Sequence, residues 1–270
     1  MTRILVTNDD GVDAPGIRTL AEAARADGHD VVVAAPREEA SGMSAALTAV
    51  TAEGRIVIER RSLGAVPAYA VAASPAYIAV LACLGVFGPP PQILLSGINR
   101  GANAGHAVLH SGTVGAALTA ANNGARAMAV SLDVLNPAAG STASGGAAIV
   151  VPDDAHLHWD TGAELARTLL GWLAGAPPRT VLNLNVPDRP LADVAGLRQA
   201  TLAPFGQAQM AVAESGEGFV RTAVNKTGER LISGTDLAWL ADGYATATLI
   251  RPPIEATDIH IPTQRPAPHR

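Results

Sequence analysis

Three short runs in this chain, Ile4-Leu5-Val6, Val31-Val32-Val33-Ala34-Ala35 and Ile93-Leu94-Leu95, are apolar at every position rather than at every second one. A strand without polar alternation has both faces buried, which is the condition of a parallel sheet covered by helices on each side. The segments between the runs have helical period. Ile17, Leu20, Ala21 and Ala24 predict a helix over roughly 16–27, and Ser74-Pro75 supplies a cap and a first-turn proline for an apolar helix ending near Gly85. A helix over 113–123, a strand over 127–132, a helix near 160–174 and a strand over 181–186 continue the alternation. Strands alternating with helices predict a doubly wound α/β sheet. Aromatic residues are only 3% of a chain that is 48% hydrophobic, so the core must be aliphatic.

The remaining segments are less regular. Residues 47–71 read as hairpin-like, with alternation in Ile56-Val57-Ile58-Glu59. The small, polar stretch 136–148 reads as a surface loop. The character changes beyond Pro187, so 1–270 is expected to be a single domain with a core of about 1–187 and an arm and tail over 188–270. Phe219 to Ile232 alternates around Lys226-Thr227-Gly228, which predicts a β-hairpin packed on a partner subunit or on its own domain. Three prolines from Pro262 to Arg270 predict a loose tail.

Charge and composition exclude several function classes. The formal net charge is −5 and no basic run exceeds Arg60-Arg61, so no nucleic-acid polymer is expected as a partner. No apolar stretch is long enough for a membrane span, and Met1-Thr2-Arg3 leads into a strand rather than a signal peptide, so a cytoplasmic location is expected. Cys83 reads as a small buried hydrophobe. His156-Leu157-His158 has the look of a metal pair, yet only Asp153 and Asp154 lie nearby as partners.

The chemistry-bearing residues lie just after the apolar runs. Ligands of parallel α/β sheets bind at the carboxyl ends of the strands. Asn8-Asp9-Asp10-Gly11, Ser41-Gly42-Met43-Ser44 and Ser96 to Gly105 all stand there, and they converge if their strands are neighbours. Adjacent carboxylates at a buried strand end repel each other unless a cation is present, and oxygen donors suit Mg²⁺ or Mn²⁺. Asn99 and Asn103 offer neutral oxygens or amide donors within a loop that is neither a dinucleotide fingerprint nor a P-loop. His110-Ser111-Gly112-Thr113 opens a helix, where hydroxyls and free N–H groups form an anion site or an ordinary cap.

Thr7-Asn8-Asp9-Asp10-Gly11, Ala14-Pro15-Gly16-Ile17, Ser96-Gly97-Ile98-Asn99-Arg100-Gly101-Ala102-Asn103 and Ser111-Gly112-Thr113-Val114-Gly115 together resemble the SurE family of survival-protein nucleotidases. The likeness continues through Val181-Leu182-Asn183-Leu184-Asn185-Val186-Pro187, Gly234-Thr235-Asp236 and Gly243-Tyr244. It implies a Rossmann-like three-layer α/β/α core with an extended C-terminal arm used in a homodimer or homotetramer. It also implies divalent-metal-dependent hydrolysis of nucleoside 5′- and 3′-monophosphates. The implied metal ligands are Asp9, Asp10, Ser41 and Asn99, with Asp9 and Asp10 catalytic. The implied phosphate and substrate side comprises Asn8, Asn103, Ser111, Gly112 and Thr113.

Two segments depart from the family pattern. Pro36-Arg37-Glu38-Glu39-Ala40-Ser41 lacks the usual Asp-Arg pair and the Arg before the serine, and Ala73-Ser74-Pro75-Ala76-Tyr77-Ile78 replaces Gly-Thr-Pro-Ala-Asp-Cys. Both bear on substrate and rate more than on the metal set. The expected mechanism is attack by a metal-activated water, with an aspartyl-phosphate as the competing route. Two other functions compete: a phosphatase of a specialised metabolite, and a nucleotide-binding relative without turnover.

Overall fold

The first apolar run becomes the centre of the molecule. A computed structural model describes residues 1–134, 153–205, 208–226, 231–255 and 258. Its strands are β1 (Arg3–Thr7), β2 (Asp30–Pro36), β3 (Thr51–Ala52), β4 (Arg55–Ile56), β5 (Ile58–Leu63), β6 (Val66–Val71), β7 (Ile93–Arg100), β8 (Arg126–Asp133), β9 (Val181–Pro187), β10 (Leu197–Gln199), β11 (Ala208–Gly216), β12 (Phe219–Lys226) and β13 (Ala245–Ile250). The α-helices are α1 (Pro15–Ala26), α2 (Pro75–Cys83), α3 (Gly112–Asn122), α4 (Trp159–Gly175) and α5 (Asp236–Ala241).

Nine strands form one sheet in the order β10-β13-β9-β8-β7-β1-β2-β6-β5. Only the β5–β6 and β9–β13 pairs are antiparallel. Alternate residues of β1 serve the two faces. Ile4 and Val6 pack with Ile17 and Leu20 of α1 and with Leu170 and Leu173 of α4, while Leu5 packs with Ile78 and Ala79 of α2 and with Val114 and Ala117 of α3. Both faces are dry, which explains the lack of polar alternation. The three-layer Rossmann-like architecture is therefore present.

From β1 the chain steps outward to β2 and β6, then crosses back to β7 on the other side of β1 and continues to β8 and β9. That reversal opens a crevice between the carboxyl ends of β1 and β7. Helix α3 reaches the crevice through small residues. A side chain at Gly115 would collide with the backbone carbonyl of Ser44, so only glycine lets α3 meet the loop after β2.

Four expectations are corrected. The hairpin-like region resolves into a small β3–β4 ribbon and a β5–β6 hairpin, whose second strand joins β2 in parallel. The C-terminal hairpin pairs β11 with β12 and reverses at Glu217-Gly218, where Gly218 takes φ +82°. The turn thus precedes the alternating stretch; residues 227–230 lie outside the described residues, as do the 136–148 loop and the tail after 262. Finally, β10 and β13 carry the main sheet past residue 187, with β13 inserted beside β9. Cys83 is half-buried rather than enclosed. Among the described residues no helix is long and apolar enough to cross a membrane.

Candidate active site

Asp9 leaves the end of β1 with only 5% of its surface exposed. Its Oδ1 accepts a hydrogen bond from Thr113 Oγ1 at 2.6 Å, and its main-chain oxygen accepts from the Ala40 N–H at 2.7 Å. Burial raises the Asp9 carboxyl above its usual range, and the Thr113 bond opposes that shift. A Cβ on Gly112 would stand 2.7 Å from Asp9 Oδ2, so the start of α3 closes on this carboxylate only because residue 112 has no side chain. Asp10 is pushed up to about 7, first by burial and then by the charge on Asp9, against a backbone hydrogen bond from Arg100. Its Oδ2 is buried without a hydrogen-bond partner among the described residues. Two carboxylates so placed form a site short of positive charge.

The loop after β7 supplies the facing wall. Asn99 Nδ2 donates to the Gly101 carbonyl at 2.7 Å, which turns its Oδ1 away as an acceptor. Asn103 is held on three sides by polar residues set into β8 and β9. Its N–H donates to Asn185 Oδ1 at 2.8 Å, and its Nδ2 donates to Ser131 Oγ at 2.9 Å. Its carbonyl accepts from Asn183 Nδ2 at 2.7 Å and Asn185 Nδ2 at 3.0 Å. Ser131, Asn183 and Asn185 are fully buried, so these bonds satisfy groups that would otherwise be costly to desolvate.

The loop after β2 brings Ser41, whose Oγ donates to Glu39 Oε1 at 2.6 Å. Ser111 caps α3 by accepting from the Val114 N–H at 3.0 Å. Asp9, Asp10, Ser41, Asn99, Asn103, Ser111 and Gly112 all line one cleft of about 630 Å³. Asn8 and Thr113 are fully buried behind it. Asn8 Nδ2 closes the turn onto the Gly11 carbonyl at 2.9 Å, and Thr113 braces Asp9.

The cleft also holds residues the sequence reading assigned no role there: Asp13, Glu39, Arg100, Asp154 and Trp159. Only polar residues within apolar strands, as in Val181-Leu182-Asn183-Leu184-Asn185, signalled the support layer beneath Asn103. In the His156-Leu157-His158 segment, His158 Nδ1 stands 2.9 Å from Asp188 Oδ1. Among the described residues no three His, Cys, Asp or Glu side chains form a metal-ligand cluster. Two carboxylates with a hydroxyl and an amide oxygen need no such cluster to suit a hard cation.

A doubly wound α/β fold with carboxylates and amides gathered at its strand-order reversal defines a protein with a small-molecule site at the switch point. The sequence profile of the survival protein SurE family matches residues 4–210. The chain belongs to that family. It is 39% identical over 215 residues to the 5′-nucleotidase SurE of Xanthomonas campestris pv. campestris (strain B100), covering 79% of this chain and 74% of that protein. It is 41% identical over 202 residues to the 5′-nucleotidase SurE of Xanthomonas oryzae pv. oryzae (strain PXO99A), covering 74% and 69%. The crystal structure of the SurE protein from Aquifex aeolicus shares the fold with a TM-score of 0.72 at 23% identity, over 95% of this chain and 96% of that one.

Proposed function

We propose that this chain is a divalent-metal-dependent phosphomonoester hydrolase that removes phosphate from nucleoside 5′- and 3′-monophosphates. The carrying observation is the adjacent Asp9 and Asp10 at the switch point of the sheet, Asp9 buried and Asp10 half-buried with its Oδ2 enclosed and unpartnered among the described residues. Family membership and the 5′-nucleotidase names of the relatives support the substrate class.

The donor set fits Mg²⁺ or Mn²⁺, because an orphaned carboxylate oxygen next to a second carboxylate calls for a hard cation. Asp9, Asp10, Ser41 and Asn99 would hold it. When bound, such a cation screens phosphate charge and makes a hydrolytic water more acidic. Thr113 keeps Asp9 fixed and favours its ionised form. Asp9 or Asp10 accepts the proton of the attacking water. Ser111, Gly112 and the N-terminus of α3 face the same cleft as Asn103, a suitable seat for phosphate oxygens. A hydroxylamine-sensitive phosphate bound to the protein would assign the attack to an aspartate instead of water.

The test is phosphate release from a panel of nucleoside 5′- and 3′-monophosphates with Mn²⁺, with Mg²⁺ and with chelator. Metal-dependent release from nucleotides is expected; release that persists in chelator, or none from any nucleotide, overturns the reading. One observation favours a second substrate class. A groove of about 390 Å³ lies beside the cleft, lined by Ala40, Met43, Val50, Ala72 and Ala73 among others, and Glu39 lines both. The two segments that depart from the family pattern contribute Ala40 and Ala73, whereas Tyr77 lines neither space. A phosphate ester with an apolar alcohol fits there, and faster release from such esters than from nucleotides would select it. Self-association is supported by the exposed apolar residues Val212, Phe219 and Val220 of the β11–β12 hairpin, and sedimentation tests it.

A further inference from the structure

Among the described residues, five carboxylates line the cleft: Asp9, Asp10, Asp13, Glu39 and Asp154. A phosphomonoester brings a charge of about −1.5 to −2 of its own. Neutral donors such as Asn103 and Ser111 can orient that group but cannot offset its repulsion by the wall. Among the described residues, Arg100 is the one arginine or lysine in the lining; the other basic side chain there is His110.

Arg100 is the last residue of β7 and follows Asn99 directly, paired in register with Leu132 of β8, so its side chain starts from fixed backbone. Its inner nitrogen, Nε, stands 3.2 Å from Asp154 Oδ1. Asp154 is tied in turn by its main-chain oxygen, which accepts from Trp159 Nε1 at 3.0 Å at the start of α4. The two paired side chains are 38% and 44% exposed, and a pair so open to solvent contributes little to folding stability. The pair holds a guanidinium in the lining of the cleft, and the planar fork of that group matches two phosphate oxygens at once.

We propose that Arg100 binds the phosphate oxygens of the substrate and that Asp154 is its positioning residue. This rests on the phosphatase reading of the same cleft. The test combines R100M, R100K and D154N with three measurements: kcat/KM on a nucleoside 5′-monophosphate, equilibrium binding of inorganic phosphate, and the Mn²⁺-induced shift in Tm. R100M should lower kcat/KM on the order of 10²-fold and weaken inorganic phosphate about tenfold or more, while keeping the Mn²⁺ shift. R100K should recover part of the loss, because charge returns without the fork. D154N should raise KM about tenfold and leave kcat largely intact, the pattern of a loosened contact rather than a lost one. If R100M stays within about threefold of the parent in both kcat/KM and phosphate binding, the assignment is wrong. Should the parent protein release no phosphate from any nucleotide, the phosphatase reading fails. Weaker phosphate binding by R100M would still uphold Arg100, and unchanged binding would overturn it.

Discussion

The wall of the cleft built from β1, β7 and α3 is braced from behind by buried side chains, whereas the wall built from residues 39–44 is tied inward by its main chain, through the Ala40 N–H on the Asp9 carbonyl, and holds its side chains at the surface. Asp9 leans on Thr113, Asn99 on Gly101, and Asn103 on Ser131, Asn183 and Asn185. Ser41 and Glu39, by contrast, are exposed and hold each other, while Ser44 Oγ donates to the Leu109 carbonyl at 2.6 Å. Three of the four proposed cation ligands, Asp9, Asp10 and Asn99, thus stand at strand ends, and the fourth, Ser41, sits on an exposed loop. The departures at 36–41 and at Ala73 fall on or beside the loose wall, where a changed side chain disturbs no buried network.

The largest effect is expected from Asp9→Asn or Asp10→Asn. Each should lower phosphate release on the order of 10³-fold and weaken Mn²⁺ binding, because an amide cannot supply the missing negative charge. A purified variant that keeps more than about a tenth of the activity breaks the assignment. Thr113→Val removes the brace on Asp9 while keeping side-chain volume. It should cost about 10- to 100-fold in kcat, with the fold intact by circular dichroism. Activity equal to the parent would show that Asp9 needs no such support.

Asn185→Ala should act first on stability, by about 1–3 kcal/mol, since it leaves the Asn103 N–H without its acceptor and its carbonyl with one donor fewer. Denaturant unfolding measures this, and a variant as stable as the parent would contradict the bracing of that wall. Ser41→Ala on the loose wall should do least. It should weaken Mn²⁺ about two- to tenfold and leave Tm unchanged, because an exposed hydroxyl carries no buried bond. A Tm loss matching that of Asn185→Ala would erase the distinction between the walls.

The braced wall was partly legible in the sequence because its ends follow apolar runs. Asp9 and Asp10 come just after β1, and Asn99 is the penultimate residue of β7, so their placement at strand ends follows from local pattern. Their meeting does not, since it depends on β7 lying beside β1, a consequence of strand order. Asn183 and Asn185 sit within an apolar strand, where a polar residue signals a buried partner without naming it. The direction of the Thr113 hydroxyl was not legible for a similar reason: at a helix start it faces phosphate or a neighbour equally well, and in the fold it donates to Asp9. Strand β13 was missed because Thr246 and Thr248 interrupt its apolar residues although both are buried against β9. The hairpin turn was misplaced because Lys226-Thr227-Gly228 carries turn chemistry as good as that of Glu217-Gly218.

Titration of Mn²⁺ into the parent protein and into Asp10→Asn at pH 5.5 and pH 8 tests the braced wall most directly. Asp10 is raised from 3.8 to about 7, so without cation the folded chain holds a proton that the unfolded chain has released. Its contribution to stability is fully present below the unfolded value and is lost as pH rises through about 7. Cation binding requires the carboxylate and runs the other way, strengthening as pH rises. The parent should therefore bind one Mn²⁺ more tightly at pH 8 than at pH 5.5 by about tenfold or more, and Asp10→Asn should lose both the affinity and most of its pH dependence. Equal Mn²⁺ binding by the two proteins at pH 8 would place the cation elsewhere and contradict the site built on Asp9 and Asp10.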